Sequence, residues 1–381
     1  MARNRSLVTV CAAAIVLLLV ADVAAAVVVT GRNRIHTPRR LKGVLPTLTA
    51  FVEKHRGLEF KRGVDMFLLD DQEFEEALSG AGPHSADPAT AYLESRFLVG
   101  FLKALGLVGN DFQLSSLETA GNRSLLGLYD PVTRRIIIRS ELPAPLLHRV
   151  VVHELTHALD DQHHPLEDIV VDLRTEESRS LQALLEGDAG RIDTLFRDQL
   201  PPADRAAADG DVEGPTGIAA STGPFLELLA FPYVSGPAFA RALVARGGTA
   251  ALDEAFRSRP TTSEEVLHPE RFPQPGPSVT VPTPAADGPI LGMGVLGELG
   301  LRLVLGETLD AAGAARAADG WGDDHYVAWS DKERTCVRVN LRMDTPSDTR
   351  EARDALRLWA TKHPGTDIRP VGEVTTLTRC A

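Results

Sequence analysis

One short segment of the chain, His153-Glu154-Leu155-Thr156-His157, has residue types and a spacing that suit metal chemistry. On a helix, His153 and His157 lie one turn apart on the same face, so both imidazoles can bind one ion. Glu154 is rotated by about 100° from His153 and can lie beside that ion. Two histidines on a metal, with a carboxylate held against the metal-bound water, are typical of zinc hydrolases. The segment predicts a zinc site.

The surroundings of this motif strengthen the prediction. Histidine makes up 11 and acidic residues 52 of 381 positions, so a His-acid-x-x-His pattern is expected about 0.04 times by chance. Apolar residues flank the motif and predict a mostly buried helix: Val150, Val151, Leu155, Ala158 and Leu159. Buried polar groups need partners, and a metal would supply one. The alternative is a solvated helix face that repeats histidine.

A catalytic zinc usually has three protein ligands, and Glu186 is the best candidate for the third. It adjoins the apolar stripe of a helix predicted over residues 174–199. Gly187 places a small residue where a second helix would need to approach closely. The alternative is that Glu186 pairs with an arginine such as Arg191. Asp188 is a candidate to orient a histidine through its other ring nitrogen.

The motif, followed 29 residues later by Glu186, resembles the gluzincins, a clan of zinc metallopeptidases with two histidines and a downstream glutamate as ligands. The fuller pattern resembles an exported bacterial group of neutral zinc metallopeptidases. The stretches that carry this resemblance are Gly127–Pro131, the Ile run, His153–Gln162 and Leu185–Ala189, with looser agreement at Phe231–Tyr233, Leu267–Glu270 and Gly320–Asp323. One position departs: Gly190 stands where well-studied gluzincins carry an aspartate, which leaves the role of Asp188 open.

The resemblance implies an α+β, gluzincin-like fold and one Zn²⁺ per chain, held by His153, His157 and Glu186. Glu154 would activate a zinc-bound water for peptide-bond hydrolysis, and a peptide or protein would be the substrate. The substrate would lie as an added strand against Arg135–Arg139, the expected sheet edge. Two alternatives stay open. One is another zinc amidase that acts on the cell envelope, and the other is a non-catalytic scaffold that retains zinc.

Two residues are candidates to stabilise the oxyanion of such a reaction, Tyr233 and His268. Tyr233 could equally be an amphipathic core residue, and His268 could be a loop cap or surface histidine. Four polar residues that follow the motif are expected to face solvent: Asp160, Asp161, His163 and His164.

The N-terminus predicts a membrane segment. The apolar run Leu7–Thr30 would span about 36 Å as a helix, enough for a bilayer core of about 30 Å. Small residues over Ala21–Ala26 also fit a cleaved signal peptide. More bases follow the run than precede it, which by the positive-inside rule favours a cytoplasmic body. We nevertheless expect export, because the run starts close to the N-terminus. The expected location is a single membrane span with an extracytoplasmic body, or secretion after cleavage.

Net charge and cysteine content restrict the partners and the cellular compartment that we expect. The net charge of 40 − 52 = −12 includes seven bases and one acid in residues 1–42, which leaves 33 − 51 = −18 for the rest. So acidic a body repels phosphate backbones, and we expect no nucleic-acid partner. Cys336 and Cys380 could close a disulfide in an oxidising compartment, which agrees with export.

Four parts are expected along the chain: an N-terminal segment with a basic flank (1–42), a catalytic module (43–272), a Pro-rich linker (273–289) and a C-terminal α+β unit (290–381). The main predicted elements are helices at 43–55, 90–105, 146–161, 174–199, 226–243, 291–305, 309–318 and 349–363, and strands at 60–69, 125–129, 135–139, 326–329, 335–342 and 372–379. Residues 201–224 are expected to form a surface loop. Trp321, Trp329 and Trp359 are expected in the core of the C-terminal unit.

Overall fold

A computed structural model describes residues 35–80, 88–114, 125–166, 175–209, 223–273 and 279–381. Its helices are α1 (Leu45–Arg56), α2 (Asp71–Gly80), α3 (Pro88–Ala104), α4 (Ala144–His163), α5 (Glu176–Gln199), α6 (Pro202–Asp209), α7 (Gly223–Ser258), α8 (Ser263–Leu267), α9 (Gly297–Gly306), α10 (Ala311–Ala318) and α11 (Pro346–Lys362). Its strands are β1 (Asp65–Leu69), β2 (Gly127–Asp130), β3 (Arg135–Arg139), β4 (Ile290–Gly294), β5 (Trp321–Asp331), β6 (Arg334–Met343), β7 (Asp367–Val371) and β8 (Val374–Cys380). The predicted mixed α+β class is confirmed.

A three-stranded sheet in the order β1-β3-β2 lies beside α4. The predicted hairpin is confirmed, because β2 pairs antiparallel with β3, while β1 pairs parallel with β3. One hydrophobic cluster joins this sheet to the inner faces of α1 and α4, and it includes Leu48, Val52, Met66, Ile136, Ile138, Val151, Leu155 and Leu159. The prediction that Arg135–Arg139 is the sheet edge is wrong. β3 is the central strand because its other side binds β1, and β2 takes the edge position.

Three long helices, α4, α5 and α7, form the middle of the molecule. A Cβ atom on Gly236 of α7 would lie 2.3 Å from the carbonyl oxygen of Ala183, so the backbones of α5 and α7 touch at this point. The chain stays helical through Pro232 and Gly236 and leaves helical angles only at Gly247 and Gly248. Glycine at position 248 suits its φ of 68°. This break allows the long helix to bend around the core.

Part of the expected surface loop is helical. Residues 202–209 form α6, which contacts α4 through the Arg149 side chain: its guanidinium donates to the Ala208 carbonyl oxygen at 3.0 Å. Ala208 of this segment is completely buried. Residues 210–222, the rest of the expected loop, lie outside the described residues.

A five-stranded antiparallel sheet in the order β4-β5-β6-β8-β7 forms the C-terminal unit, with α11 packed on it. All three tryptophans are buried there, as predicted. The two strands at its edges, β4 and β7, were not expected from the sequence. The first four residues of the predicted helix 291–305 belong to β4, whose Gly292 lies against the Phe97 ring. β7 contains Pro370, which is tolerated because this strand is an edge.

The C-terminal unit shares its core with helices of residues 43–272. One hydrophobic cluster runs from Phe97 and Leu184 through Phe239 to Tyr326 and Trp359. Buried polar contacts join the units as well, because the Leu299 N–H of α9 donates to Ser263 Oγ at 3.1 Å. The Glu176 carboxylate, in the first turn of α5, accepts from Ser263 N–H and Oγ–H at 2.7 Å each. It also lies against Gly297, where a Cβ would approach within 2.0 Å.

Asp324 completes this junction from the C-terminal sheet. Its carboxylate accepts from the backbone amides of Leu296 and Gly297 and from the Trp321 indole, each at 2.9 Å. Burial raises the pKa of Asp324 to about 7, although these three donors oppose the shift. The start of α9 is therefore held against both α5 and β5.

Within the described residues, α7 is long and apolar enough to cross a membrane by length and composition. Its most apolar stretch of 18 residues is 44% buried inside the protein. It packs against α5 in the core. The predicted membrane segment Leu7–Thr30 lies outside the described residues.

Candidate metal centre

The helix that carries the motif begins where its prolines predict. Pro143 precedes α4, and Pro145 lies in its first turn, where the missing N–H costs no helical hydrogen bond. Val151, Val152 and Leu159 face the core and are completely buried. This packing fixes the rotation of α4 and points the side chains of the motif toward α5.

The helix that carries Glu186 is held at both its start and its middle. Thr175 caps it by accepting the Ser178 amide at 3.2 Å. Further along, Gly187 meets Gly236 of α7, which is the close helix approach that the small residue after Glu186 predicts. The contact presses α7 against α5 immediately beside the Glu186 side chain.

His153, His157 and Glu186 converge between α4 and α5. The two imidazole Nε2 atoms lie 3.1 Å apart, and Glu186 Oε2 lies 3.2 Å from His153 Nε2 and 3.6 Å from His157 Nε2. The side chains are 19%, 10% and 9% exposed, respectively. The cluster is therefore largely shielded from water, with His153 the most accessible of the three.

Electrostatics within the cluster keep the Glu186 carboxylate ionised. Burial disfavours the charged imidazole of His157, but the Glu186 carboxylate outweighs this effect and raises the pKa of His157 to about 9. Burial alone would raise the pKa of Glu186, yet His157 and His153 lower it to about 2. A divalent cation would take over the role that the protonated imidazole plays here.

Glu154 lies beside the cluster with one oxygen unused. The residue is 3% exposed, and its Oε2 has no hydrogen-bond partner among the described residues. Burial raises its pKa, while the neighbouring histidines and the Tyr129 backbone amide act in the opposite direction. Gly127 of β2 makes room for this carboxylate, because a Cβ there would lie 3.2 Å from Oε1 and 2.6 Å from the Val150 side chain. An orphaned buried oxygen of this kind suits a group that handles protons.

Of the two oxyanion candidates, Tyr233 lies at the cluster. Its hydroxyl is buried and faces the Glu186 carboxylate. Burial, reinforced by the Glu186 and Glu154 carboxylates, raises the pKa of Tyr233 well above its usual value. The phenol therefore stays protonated and able to donate.

His268 lies elsewhere, at the junction with the C-terminal unit. It caps the end of α8, and its Nε2 lies 3.1 Å from Glu298 Oε1 and 3.8 Å from Asp319. This is the loop-cap position that the sequence left open as its alternative.

Asp188 points away from the histidine rings and joins a buried ion cluster. Its Oδ1 accepts from Arg191 at 2.6 Å, and its Oδ2 lies 2.7 Å from Arg56 Nε. Arg191, which the sequence offered as an alternative partner for Glu186, thus pairs with Asp188. Arg56 Nε also donates to Asp160 Oδ1 at 2.7 Å. The completely buried Arg56 had no sequence signal, because it follows Lys54 and His55 at a helix end.

The residues after the motif are not solvent-facing, so that expectation is wrong. Asp160 and Asp161 are 0% and 5% exposed, and Asp161 accepts the Tyr129 hydroxyl at 2.7 Å. His163 bonds the Glu59 carbonyl oxygen at 2.9 Å, and His164 stacks on Phe256. The reason is that α1, β2 and α7 cover the end of α4. The sequence feature that could have indicated this burial is the unbroken polar run at the end of a buried helix.

Cys336 and Cys380 face each other on β6 and β8 and are joined by a disulfide. Asp331 lies near them, and the three together form the other His/Cys/Asp/Glu group compact enough for a metal in the described part of the chain. Both sulfurs are already bonded to each other, so this group offers no thiolate ligand.

The fold and the site together define a mixed α+β protein with a buried His/His/Glu cluster between two packed helices. Comparison with known families matches residues 290–379 to a domain of unknown function, DUF8575. The match covers less than a quarter of the chain and lies outside the cluster. Neither the curated proteins nor the solved structures contain a significant match to this chain.

Proposed function

We propose that the protein is a zinc-dependent peptidase of gluzincin type, with zinc bound by His153, His157 and Glu186. The observation that carries the proposal is the spacing of the three donor atoms, 3.1, 3.2 and 3.6 Å. Ligand atoms of a tetrahedral zinc with bonds of about 2.0–2.1 Å lie about 3.3–3.4 Å apart. Two imidazoles and one carboxylate are also a donor set typical of catalytic zinc. The residues present therefore fit this ion.

When bound, zinc supplies Lewis acidity that polarises a carbonyl oxygen and makes water more acidic. Glu154 would accept the proton of the attacking water at Oε2 and pass it to the departing amine. Burial raises the pKa of Glu154 in the direction of neutral pH, which suits a group that must both take and give a proton. Tyr233 would donate its hydroxyl hydrogen to the oxyanion that develops on the substrate.

The proposed substrate is a peptide or protein chain that lies along β2. Arg139 N–H donates to the Leu126 carbonyl oxygen, so the antiparallel register turns the N–H and C=O groups of Gly127 and Tyr129 away from β3. These outward groups lie on the Glu154 side of the strand. The Tyr129 N–H is already donated to Glu154, so a substrate strand would bond to the Gly127 N–H and C=O and to the Tyr129 C=O, which would bring its peptide carbonyl to the cluster.

The proposed location is the outer side of a membrane, with the body anchored by the segment Leu7–Thr30 or released after its cleavage. The support is the length and apolarity of that segment and the disulfide between Cys336 and Cys380, which suits an oxidising compartment.

The test is metal content and cleavage measured on the same full-length protein. After exhaustive dialysis, elemental analysis should find about one zinc per chain, and unstructured casein should be cleaved in a way that a chelator stops. Glu154→Gln should retain zinc and abolish cleavage. Glu141→Gln, an exposed carboxylate just before α4, is the matched control and should cleave normally.

Three results would contradict the proposal in different ways. A folded protein that takes up no zinc would remove the metal centre. Zinc without casein cleavage at any pH would favour a scaffold, or an amidase that acts on the cell envelope. Full cleavage by Glu154→Gln would assign the proton transfer to another group.

A further inference from the structure

A completely buried arginine ties together the helices that surround the candidate metal centre. Arg56, the last residue of α1, is 0% exposed. Its guanidinium lies 2.7 Å from a carboxylate oxygen on each of three helices: Asp160 of α4, Asp188 of α5 and Asp253 of α7. A buried charge is tolerated only when it is well paired, so these contacts fix where the guanidinium can lie.

Two of these carboxylates stand next to candidate ligands in the sequence. Asp160 follows His157 by three residues, close to one helical turn, and Asp188 follows Glu186 by two. The link between α4 and α5 therefore lies about 3–5 Å along each helix from a donor atom. A slide of α4 past α5 would strain the contacts of Arg56 with the two carboxylates. The same slide would separate the metal-binding atoms of His157 and Glu186.

The arginine is itself anchored to backbone. α1 ends directly after it at Gly57, whose φ is 74° and whose N–H donates to the Glu53 carbonyl oxygen at 2.8 Å. Gly57 also packs on Thr249, so this chain end has little room to shift. Arg191 of α5 pairs with Asp188 and reaches the His55 carbonyl oxygen at 3.4 Å.

We propose that Arg56 is a positioning residue for the metal centre: it holds α4 and α5 in the register at which His157 and Glu186 can share one ion. The inference rests on the proposed function, because the register has a purpose only if a metal binds. Donor spacings of 3.1–3.6 Å tolerate displacements of a few tenths of an ångström. Residues that orient ligands typically contribute 10–100-fold to metal affinity.

The chain offers a matched control for this role. Arg149 of α4 makes a bidentate pair with Asp193 of α5, at 2.7 and 2.8 Å. This pair joins the same two helices, but Asp193 follows Glu186 by seven residues, about 10 Å along α5. If Arg56 only stabilised the fold, replacing either arginine should have the same effect on zinc affinity.

The experiment compares Arg56→Lys and Arg149→Lys in the full-length protein, because lysine keeps the charge and loses the planar fork. The zinc dissociation constant is measured by competition with a chromophoric chelator, and the melting temperature is measured on the metal-free protein. Both substitutions should lower the melting temperature. Arg56→Lys should weaken zinc binding about 10–100-fold, whereas Arg149→Lys should change it by less than about threefold. Cobalt substituted for zinc should give an altered absorption spectrum in Arg56→Lys alone.

A second variant covers the case in which Arg56→Lys does not fold. Arg56→Met with Asp160→Asn and Asp253→Asn removes one positive and two negative charges and leaves Asp188 paired with Arg191. Such replacements of buried ions are often tolerated. Weak zinc binding by this folded variant supports the positioning role, and wild-type affinity in either Arg56 variant overturns it. Equal losses in Arg56→Lys and Arg149→Lys overturn it too. Absence of zinc from the wild-type protein instead refutes the proposed function itself.

Discussion

Gly187 and Gly236 bring the backbones of α5 and α7 into direct contact one residue from the Glu186 carboxylate. A Cβ on Gly187 would lie 2.4 Å from the Gly236 carbonyl oxygen, and a Cβ on Gly236 would lie 3.0 Å from the Gly187 amide nitrogen. Neither neighbour can give way, because both are backbone atoms. The contact sets the distance between the helices and thereby places Tyr233, one turn before Gly236, at the cluster.

Adding a methyl group at this contact should therefore damage both stability and the site. Gly236→Ala should lower the free energy of unfolding by about 1–3 kcal/mol, the usual cost of overpacking, and should weaken zinc binding. Chemical denaturation and a zinc titration measure the two effects. Gly223→Ala in the same helix is the control, since a Cβ there meets nothing within 4 Å. Unchanged stability in Gly236→Ala would mean that α7 can move away freely.

Removing the Tyr233 hydroxyl should affect turnover and little else. Tyr233→Phe should lower kcat by about 10²–10³-fold, as the loss of an oxyanion donor does elsewhere. Zinc content should stay the same, because Tyr233 is not one of the three proposed ligands. His268→Asn is the comparison: it should leave kcat within about threefold and destabilise the protein by leaving Glu298 without its partner. A large loss of kcat in His268→Asn, with none in Tyr233→Phe, would assign the oxyanion contact to His268 instead of Tyr233.

Zinc affinity should rise with pH. His157 must lose its proton to bind a metal, and its pKa in the metal-free protein is raised to about 9. Affinity should increase by up to about tenfold per pH unit from pH 7 toward 9 and then level off. Glu186→Gln removes the carboxylate that raises this pKa, so the curve should level off at lower pH. Titrations with a competing chelator measure both curves.

The same two groups give the metal-free protein a defined pH dependence of stability. The raised pKa of His157 contributes stability that is complete below about 6.5 and is lost as the pH rises through about 9. The lowered pKa of Glu186 contributes stability present above about 4.5 and lost as the pH falls through about 2. Their joint contribution should be largest between about pH 4.5 and 6.5. Melting temperatures with and without zinc test this, and a flat profile for the metal-free protein would contradict it.

The disulfide should stabilise the fold without affecting the metal. Cys336 and Cys380 enclose a loop of 44 residues, for which chain entropy gives about 4 kcal/mol. Replacing both with serine should lower the free energy of unfolding by about that amount and leave zinc affinity unchanged. Adding a reductant to the wild-type protein should give the same loss. A variant that also lost zinc would show that the C-terminal sheet supports the cluster.

Local sequence patterns were sufficient for α4 and α5, whereas the third long helix, α7, was predicted only over 226–243 and extends to Ser258. Pro143 and Pro145 mark the start of α4, and its apolar face follows helical spacing, so its predicted bounds differ from the observed ones by two residues at each end. The two edge strands of the C-terminal sheet were missed because their residues contradict strand propensity. β4 contains Gly292 and Gly294, and β7 contains Pro370. Their conformation depends on pairing with β5 and β8, which local propensity does not encode.

The residues of the motif could be identified from the sequence, whereas the residues that hold them in place could not. His153, Glu154 and His157 lie within one helical turn, so their spacing alone suggests a shared task. Arg56 and Asp160 lie 104 residues apart, and a charged residue at a helix end normally faces water. Only the packing of α1 against α4 and α5 makes that arginine a buried partner.

Glu176, the first residue of α5, is held by Ser263 of α8 and packs against Gly297 of the C-terminal unit. Glu186 lies ten residues further along the same helix, about 15 Å away. The helix that carries Glu186 therefore starts against α9, and a displacement of α9 would reach it first at Glu176.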